Sequence, residues 1–395
     1  MDFPIEALND RLSTLSRHPF YEGKLPISIA DAEDFAASVP LMNRADLVTE
    51  MEKPNYGAFG NTPSVRINLT PMGSSLVPVM QTPVDIENLI LATRSHLHAC
   101  GLGPGDVCAV TFGYHMFVAG LFYQSQMEAH GIACIPLGPG EAERTVEICK
   151  RHNVTALAGN PTFSLKLIDA GLTPPKVFFA GGEAFTGNTS LYRAVQSAMP
   201  DTILVDSFSL SEFLPVGRTF PGGTGVHVFD ELVYAEVIDP ITEKVVEDGE
   251  RGELVLTHLK KEAQPLVRYR TGDLTIRKTT KPVHGRTLSL PQVVFGRTDN
   301  MVKVKGVKIY PSEVKSILLG VEGPTGGYRL TVSSKSGGGD HLALTLEGTV
   351  NSEIATEIAS RFKTQTLINA DEILSVNDLE DGAVVIDKRS IQPGA

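Results

Sequence analysis

Apolar residues follow two alternating rhythms between residues 85 and 206. Residues 85–100 carry them at helical spacing and stop before Gly101, whereas DVCAVTF (106–112) is a short apolar run with strand character. The helical pattern returns in MFVAGLFYQSQMEAH (116–130), ends before Gly131, and gives way to the strand-like IACIPL (132–137). EAERTVEICKRHN (141–153) predicts another helix, and VTALAG (154–159), KVFFA (176–180) and TILVD (202–206) predict further strands. Strands alternating with helices of this length predict an α/β architecture with a doubly wound, largely parallel sheet. From about 225 to 295 the helical rhythm stops. LVYAEVID, GELVLTH and DLTIRK follow one another as strands, which predicts a β-rich subdomain over about 220–296. Near 296 the character changes again. GRTDNMVKVKGVKIYPSEVKSIL holds a hairpin-like Gly turn and then a helix; two strands, a helix over 351–368 and a last strand, AVVID, follow. The chain is thus expected to divide into a large N-terminal domain over 1–296 and a small, mobile C-terminal α+β domain over 297–395, with a hinge near 295–300.

Composition narrows the chemistry. The 395 residues carry a net charge of -11, with a pI near 5.4. A surface this acidic repels phosphate backbones, so no nucleic-acid partner is expected, while small anions can still be held by local positive charge. MDFPIEALND has no basic segment ahead of an apolar stretch, so no signal peptide is expected. AVTFGYHMFVAGLF is too short and too interrupted to cross a membrane. Cys100, Cys108, Cys134 and Cys149 form no CxxC pair and are expected as free thiols in a reduced cytoplasm. The histidines form no HxxxH or HExxH pattern. The absence of GxxxxGK[ST] and GxSxG argues against P-loop NTPases and α/β-hydrolases. GLGPG (101–105) reads as a helix-to-strand turn, and Ser312 of the SxxK string with Lys315 reads as a helix cap.

Several segments, taken in order, carry more than any motif alone: HPFY, PMGSSLVP, FGYHMFVAGL, IPLGPGEAER, FFAGGEAF, DSFSLSEF, RGELVLTHLKKEAQPLVRYRTGDL and GRTDNMVKVKGVKIYPSEV. Together they resemble the phenylacetate–coenzyme A ligase branch of the adenylate-forming enzymes, from about His18 to Arg389. The resemblance implies a large N-terminal α/β domain and a small mobile C-terminal domain. It also implies a reaction in which a carboxylic acid, here expected to be aromatic, joins ATP to give an acyl-adenylate and pyrophosphate. A thiol then displaces AMP. ATP, Mg²⁺ and coenzyme A are the implied cofactors, a carrier-protein thiol or a nitrogen nucleophile being the alternative acceptor. Assembly as a homodimer is left open.

Residue by residue, the resemblance implies that Glu212 holds the metal, with Ser211 beside it as a phosphate-contacting hydroxyl. A carboxylate suits Mg²⁺ shared with phosphate oxygens. Asp273 of YRTGD would accept the ribose hydroxyls, which two carboxylate oxygens can do together. Gly181, Gly182 and Glu183 after KVFFA would pack on the adenine, with Asp206, Ser207 and Phe208 at its edge. Phe208 stands where the family usually has tyrosine. Gly73, Ser74 and Ser75 would belong to the phosphate loop, Arg297 would approach the ribose and phosphate, and Asp299 would be the hinge. Phe112, Tyr114, His115 and Phe117, with Gly113, would border the acid, although a strand followed by FVAGLF is also ordinary core. Lys303, Lys305 and Lys308 around Gly306 resemble the strand that meets the second substrate, and also an exposed edge.

The departures are specific. Leu76 and Val77 stand where the phosphate loop has Gly and Lys, and Ala383 follows Gly382 where the family has its catalytic lysine. The branch's zinc-binding cysteines are missing, and His227 is expected to be a packed or surface residue. Loss of one such phosphate contact costs about 10²–10³ in rate. The expectation is therefore an adenylating ligase with a weakened first step, the alternative being a non-catalytic adenylate-binding homologue.

Overall fold

A computed structural model describes residues 3–72, 75–183, 185–186, 189–221, 223, 225–291, 296–298, 302–305, 307–309, 311–318, 321–335, 340–366, 368–379 and 384–389. Two compact units emerge: residues 1–271 with 275–293, and residues 272–274 with 294–395.

The first unit begins with α1 (Ile5–Leu15), α2 (Ala32–Ser38) and α3 (Arg44–Met51). A hairpin follows, with β1 (Arg66–Met72) antiparallel to β2 (Ser75–Gln81), in a register running from Arg66↔Gln81 to Met72↔Ser75. β1 buries Asn68, Thr70 and Met72 on one face, so two of its three inward side chains are polar. α4 (Pro83–Ala99) starts with a capping box from Thr82 and Asp85 and has proline in its first turn.

Parallel strands and helices then alternate: β3 (Val107–Val110), α5 (Ala119–Ala129), β4 (Ala133–Pro136), α6 (Ala142–Arg151), β5 (Ala156–Gly159), α7 (Pro161–Asp169), β6 (Val177–Ala180), α8 (Thr189–Ala198) and β7 (Ile203–Phe208). The order β7-β6-β5-β3-β4 is parallel throughout. All four residues of β5 and all four of β6 are buried, as strands covered on both faces require. Phe178 and Phe179 point to opposite sides of the sheet. Phe179 packs with Leu89, Leu97, Phe122 and Met127 of α4 and α5, and Phe178 with Val146, Leu167 and Val195 of α6, α7 and α8. The doubly wound arrangement read from the apolar rhythm is thus present. α7 and α8, which had no assignment in the sequence, complete the second helical layer.

β8 (Gly217–Arg218), β9 (Val226–Val228), β13 (Lys278–Val283) and β14 (Arg286–Leu290) extend this sheet beyond β7 by antiparallel pairing. β10 (Val233–Ile238) and β11 (Arg251–His258) form an antiparallel pair beside β12 (Tyr269–Ile276). β12 starts four residues before the run DLTIRK, so YRTGD is strand, with Gly272 at φ +75°.

In the second unit, Gly272–Leu274 of β12 pair with β15 (Gly296–Arg297). β16 (Val302–Val304) and β17 (Val307–Ile309) make the expected hairpin, and α9 (Pro311–Leu318) follows. β18 (Pro324–Ser334), β19 (Asp340–Gly348), β20 (Glu372–Val376) and β21 (Val385–Asp387) form a sheet in the order β20-β19-β18-β21, packed on α9 and α10 (Ser352–Thr366) through Val314, Leu330, Leu344, Ile358 and Phe362. β20 has no apolar alternation to announce it: Glu372, Ser375 and Leu374 of its five residues are exposed. Among the described residues no helix is long and apolar enough to cross a membrane, and the four cysteines are free.

Candidate functional site

β1 gathers three of the segments singled out in the sequence. The Asn68 side-chain amide donates to the carbonyls of Met116 (3.3 Å) and Phe117 (3.1 Å), and Leu69 N donates to Met116 O at 2.8 Å. Thr70 Oγ1 donates to Ser211 Oγ at 3.0 Å. The hairpin, the turn after β3 and SLSE are therefore tied through polar groups buried on one strand, which explains why β1 turns Asn68 and Thr70 inward. At the hairpin tip Ser75 bonds Glu52; Gly73 and Ser74 lie outside the described residues. Leu76 is exposed, but Val77 is 1% exposed and pairs with Thr70. The position that holds a lysine in the resembling family is here a core position.

The carboxyl ends of β6 and β7 form the second part of the site, where ligands bind in open α/β sheets. A Cβ on Gly181 would lie 3.3 Å from Phe112 Cζ and 3.6 Å from Ser207 O, and Gly182 has φ +79°. The positive φ of Gly182 favours glycine, while a side chain at Gly181 would press on the Phe112 ring. Glu183 Oε2 accepts from Thr162 N (3.0 Å) and Thr162 Oγ1 (2.9 Å) at the start of α7. Asp206 Oδ2 accepts from Thr186 N (2.9 Å) and Thr186 Oγ1 (2.7 Å). Burial pushes the Asp206 carboxyl upward, and the two bonds from Thr186 oppose it. Both carboxylates are thus engaged with neighbouring threonines. Ser207 Oγ is buried beside the Tyr123 hydroxyl without a well-formed hydrogen bond, and Phe208 is buried.

In the proposed acid pocket, Phe112 stacks on Tyr123 with ring centroids 5.2 Å apart and planes 13° from parallel. The Tyr114 hydroxyl is buried beside the Cys134 thiol, and burial drives its pKa up. His115 and Phe117 are exposed, so the structure separates the four expected pocket residues into an inner and an outer pair.

Glu212 is 5% exposed, and its Oε1 accepts from the Tyr269 hydroxyl at 2.9 Å. Burial and the facing carboxylate push the Tyr269 hydroxyl up, keeping it a donor. Among the described residues no cation forms an ion pair with Glu212. A buried carboxylate held by one neutral donor, with the Ser211 hydroxyl next to it, is a donor set of the oxygen type that fits Mg²⁺. Next to it the Phe213 ring stacks on His258 at 3.8 Å.

Within the second unit, Arg297 Nη1 donates to Asp273 Oδ1 at 2.8 Å, as the antiparallel register Asp273↔Arg297 allows. The sequence pointed to both residues separately; only strand pairing reveals that they meet. Lys305 Nζ bonds Asn369 O (3.0 Å) and pairs with Asp371 (2.6 Å), and Lys303 pairs in register with Lys308. Asp299, Gly382 and Ala383 lie outside the described residues. His227 is packed, 1% exposed. Thr70 and Tyr123 stood in no site motif, and Tyr269 opens YRTGD without a role of its own. Their signal is a polar group buried at a position of the fold that touches the marked residues.

No family model matches the chain. It is 27% identical over 377 residues to a phenylacetate-coenzyme A ligase of Thermus thermophilus, an alignment covering 91% of this chain and 83% of that protein. To the phenylacetate-coenzyme A ligase of Aromatoleum evansii it is 29% identical over 245 residues, 59% of this chain and 54% of the relative, so this match spans about half of that protein's length. Among solved structures, an open conformation of 2-hydroxyisobutyryl-CoA ligase in complex with 2-HIB-AMP and CoA superposes with a TM-score of 0.84 at 24% identity, covering 97% of this chain and 90% of that one.

Proposed function

Because this chain is a relative of phenylacetate–coenzyme A ligases and has the fold of the adenylate-forming enzymes, we propose that it activates a carboxylic acid with ATP and passes the acyl group to coenzyme A. In the first half-reaction a carboxylate oxygen attacks the α-phosphorus and pyrophosphate leaves; in the second a thiol attacks the acyl carbon and AMP leaves. The observation that carries this reading is the buried Glu212 carboxylate, bonded by Tyr269 and adjacent to the Ser211 hydroxyl that Thr70 holds. Glu212 would hold Mg²⁺, which when bound neutralises phosphate charge.

Gly181 and Gly182 are proposed to face the adenine and Asp273 the ribose hydroxyls, with Arg297 orienting the Asp273 carboxylate through their 2.8 Å bond. The hairpin brings no lysine, since Val77 is core. Adenylation should therefore be the slower half-reaction. Phe112 and Tyr114 would line the acid pocket, and a flat aromatic acid suits the stacked Phe112–Tyr123 pair. The test is titration calorimetry with ATP: Asp273→Ala should weaken binding by about tenfold or more, the worth of hydrogen bonds to a charged group. An affinity equal to wild type would remove Asp273 from the site.

A further inference from the structure

Arg218 of β8 is fully enclosed on the face of the central sheet that α5 covers. None of its three guanidinium nitrogens makes a well-formed hydrogen bond, the Tyr123 hydroxyl being the neutral oxygen that faces it. The guanidinium carbon lies 5.4, 5.5 and 5.3 Å from the ring centroids of Phe122, Tyr123 and Phe179. Such contacts recover part of the lost hydration of a cation, but a buried charge without an acceptor remains costly. The titratable groups facing it are Tyr123 and the thiols of Cys100 and Cys108, with His96 close by. Burial holds both thiols protonated, Cys100 being pushed up to about 11, and holds His96 neutral. Among the described residues no carboxylate forms an ion pair with Arg218; that of Asp206, one strand away, is taken by Thr186.

The place of this orphan cation matters. Arg218 is the direct cross-strand partner of Ser207, so their side chains share one face of the sheet. The Ser207 hydroxyl is buried beside that of Tyr123 and makes no well-formed hydrogen bond either. Ser207 is the last residue but one of β7 and lies beside Gly181, and a Cβ on Gly181 would come within 3.9 Å of the Tyr123 hydroxyl and 3.3 Å of Phe112. The half-buried Phe112 ring, stacked on Tyr123, thus lies between the carboxyl end of β6 and the Ser207–Tyr123–Arg218 group.

We propose that the acid pocket continues past Phe112, and that Arg218, with the Ser207 and Tyr123 hydroxyls, receives an anionic group at the far end of the substrate. The substrate class is then an aromatic acid bearing a second anion, such as a second carboxylate, opposite the carboxylate that is activated. This deepens the proposed function and rests on it. Phe112 swings aside to admit the ring, and the second anion converts an unpaired guanidinium into a charge-assisted, fork-shaped pair.

Calorimetry of wild type and Arg218→Met in the presence of AMP, using phenylacetate and 4-carboxyphenylacetate as probes, tests the proposal. Wild type should bind the diacid about 10- to 150-fold more tightly than the monoacid, and Arg218→Met should lose or invert that preference. Without ligand, Arg218→Met should unfold at the same temperature as wild type or higher, because an apolar side chain of similar volume replaces an unpaired charge. Should Arg218→Met not fold, Ser207→Ala provides the same comparison and should reduce the preference. A wild type that does not prefer the diacid, or an unchanged preference in the folded variants, overturns the proposal. Pyrophosphate release in the same samples reports on adenylation separately. Release with phenylacetate but no diacid preference would leave the ligase reading intact and sink this one. Diacid preference without release from either acid would do the reverse.

Discussion

The β1–β2 hairpin can be tested by returning a lysine to it. The structure makes neighbouring positions behave oppositely: Leu76 is 53% exposed, whereas Val77 is 1% exposed within the paired register. Leu76→Lys places an ammonium in water and should change stability by no more than about 0.5 kcal/mol. Val77→Lys forces the ammonium into the core, where burial lowers a lysine pKa by about 3 units or more. At about 1.4 kcal/mol per unit this destabilises the fold by about 4 kcal/mol at neutral pH. The sign gives a second handle. A lysine whose folded pKa lies below its unfolded value of about 10.4 weakens the fold at pH values under that unfolded value. The loss should shrink as pH rises from about 8 toward 10, where the unfolded chain also gives up its proton. Urea unfolding of wild type and both variants at about pH 7 and pH 10, followed by circular dichroism, measures this. Equal stability of Val77→Lys and wild type, or equal damage from both variants, would refute the register. A loss at Val77 that does not change with pH would refute the charge-burial reasoning.

Two further outcomes follow from buried polar groups. Tyr269→Phe removes the 2.9 Å bond to Glu212; it should lower unfolding free energy by about 1.5–3 kcal/mol and raise the Mg²⁺ concentration needed for pyrophosphate release, so an unchanged Mg²⁺ requirement would dissociate Tyr269 from the metal role. The Asp230 carboxyl is pushed up to about 6 by burial and by neighbouring Glu231, against the pull of Arg286. Its ionised form therefore weakens the fold once pH exceeds the unfolded value of about 3.9, fully so above about 6; Asp230→Asn should raise the melting temperature at about pH 8 and not at pH 4, and equal effects at the two pH values would contradict this.

The parts of the fold legible in the sequence are those where one residue's environment follows from its neighbours. KVFFA is apolar throughout because β6 is covered on both faces, and the apolar stripe of residues 85–100 marks α4 without reference to anything distant. β1 and β2 were not legible: prolines at 71 and 78 and the buried polar Asn68 and Thr70 obscure a strand whose inward face serves a site. β20 escaped because the mostly exposed Glu372–Val376 is strand only by pairing with β19. SLSE and YRTGD pointed to Glu212 and Asp273 through their pattern, but their hydrogen-bond partners lie 57 and 24 residues away. Arg218 had no signal at all, since arginine in a loop-rich stretch reads as surface until its strand is placed beneath α5. Glu183 and Asp206 were placed at the right strand ends, yet their carboxylates turn to Thr162 and Thr186, a choice made by short-range geometry that spacing does not encode.

Pyrophosphate release from ATP and Mg²⁺ across a panel of aromatic mono- and dicarboxylic acids, with mass spectrometry of the products on adding coenzyme A, tests the central claim most directly when run on wild type and Glu212→Gln. The account predicts acid-dependent pyrophosphate and AMP, an acyl-coenzyme A product, and a loss of about 10²-fold or more in Glu212→Gln, whose amide keeps the Tyr269 hydrogen bond and hence the unfolding midpoint. No release with any acid, or the same Mg²⁺ dependence in both proteins, would contradict it.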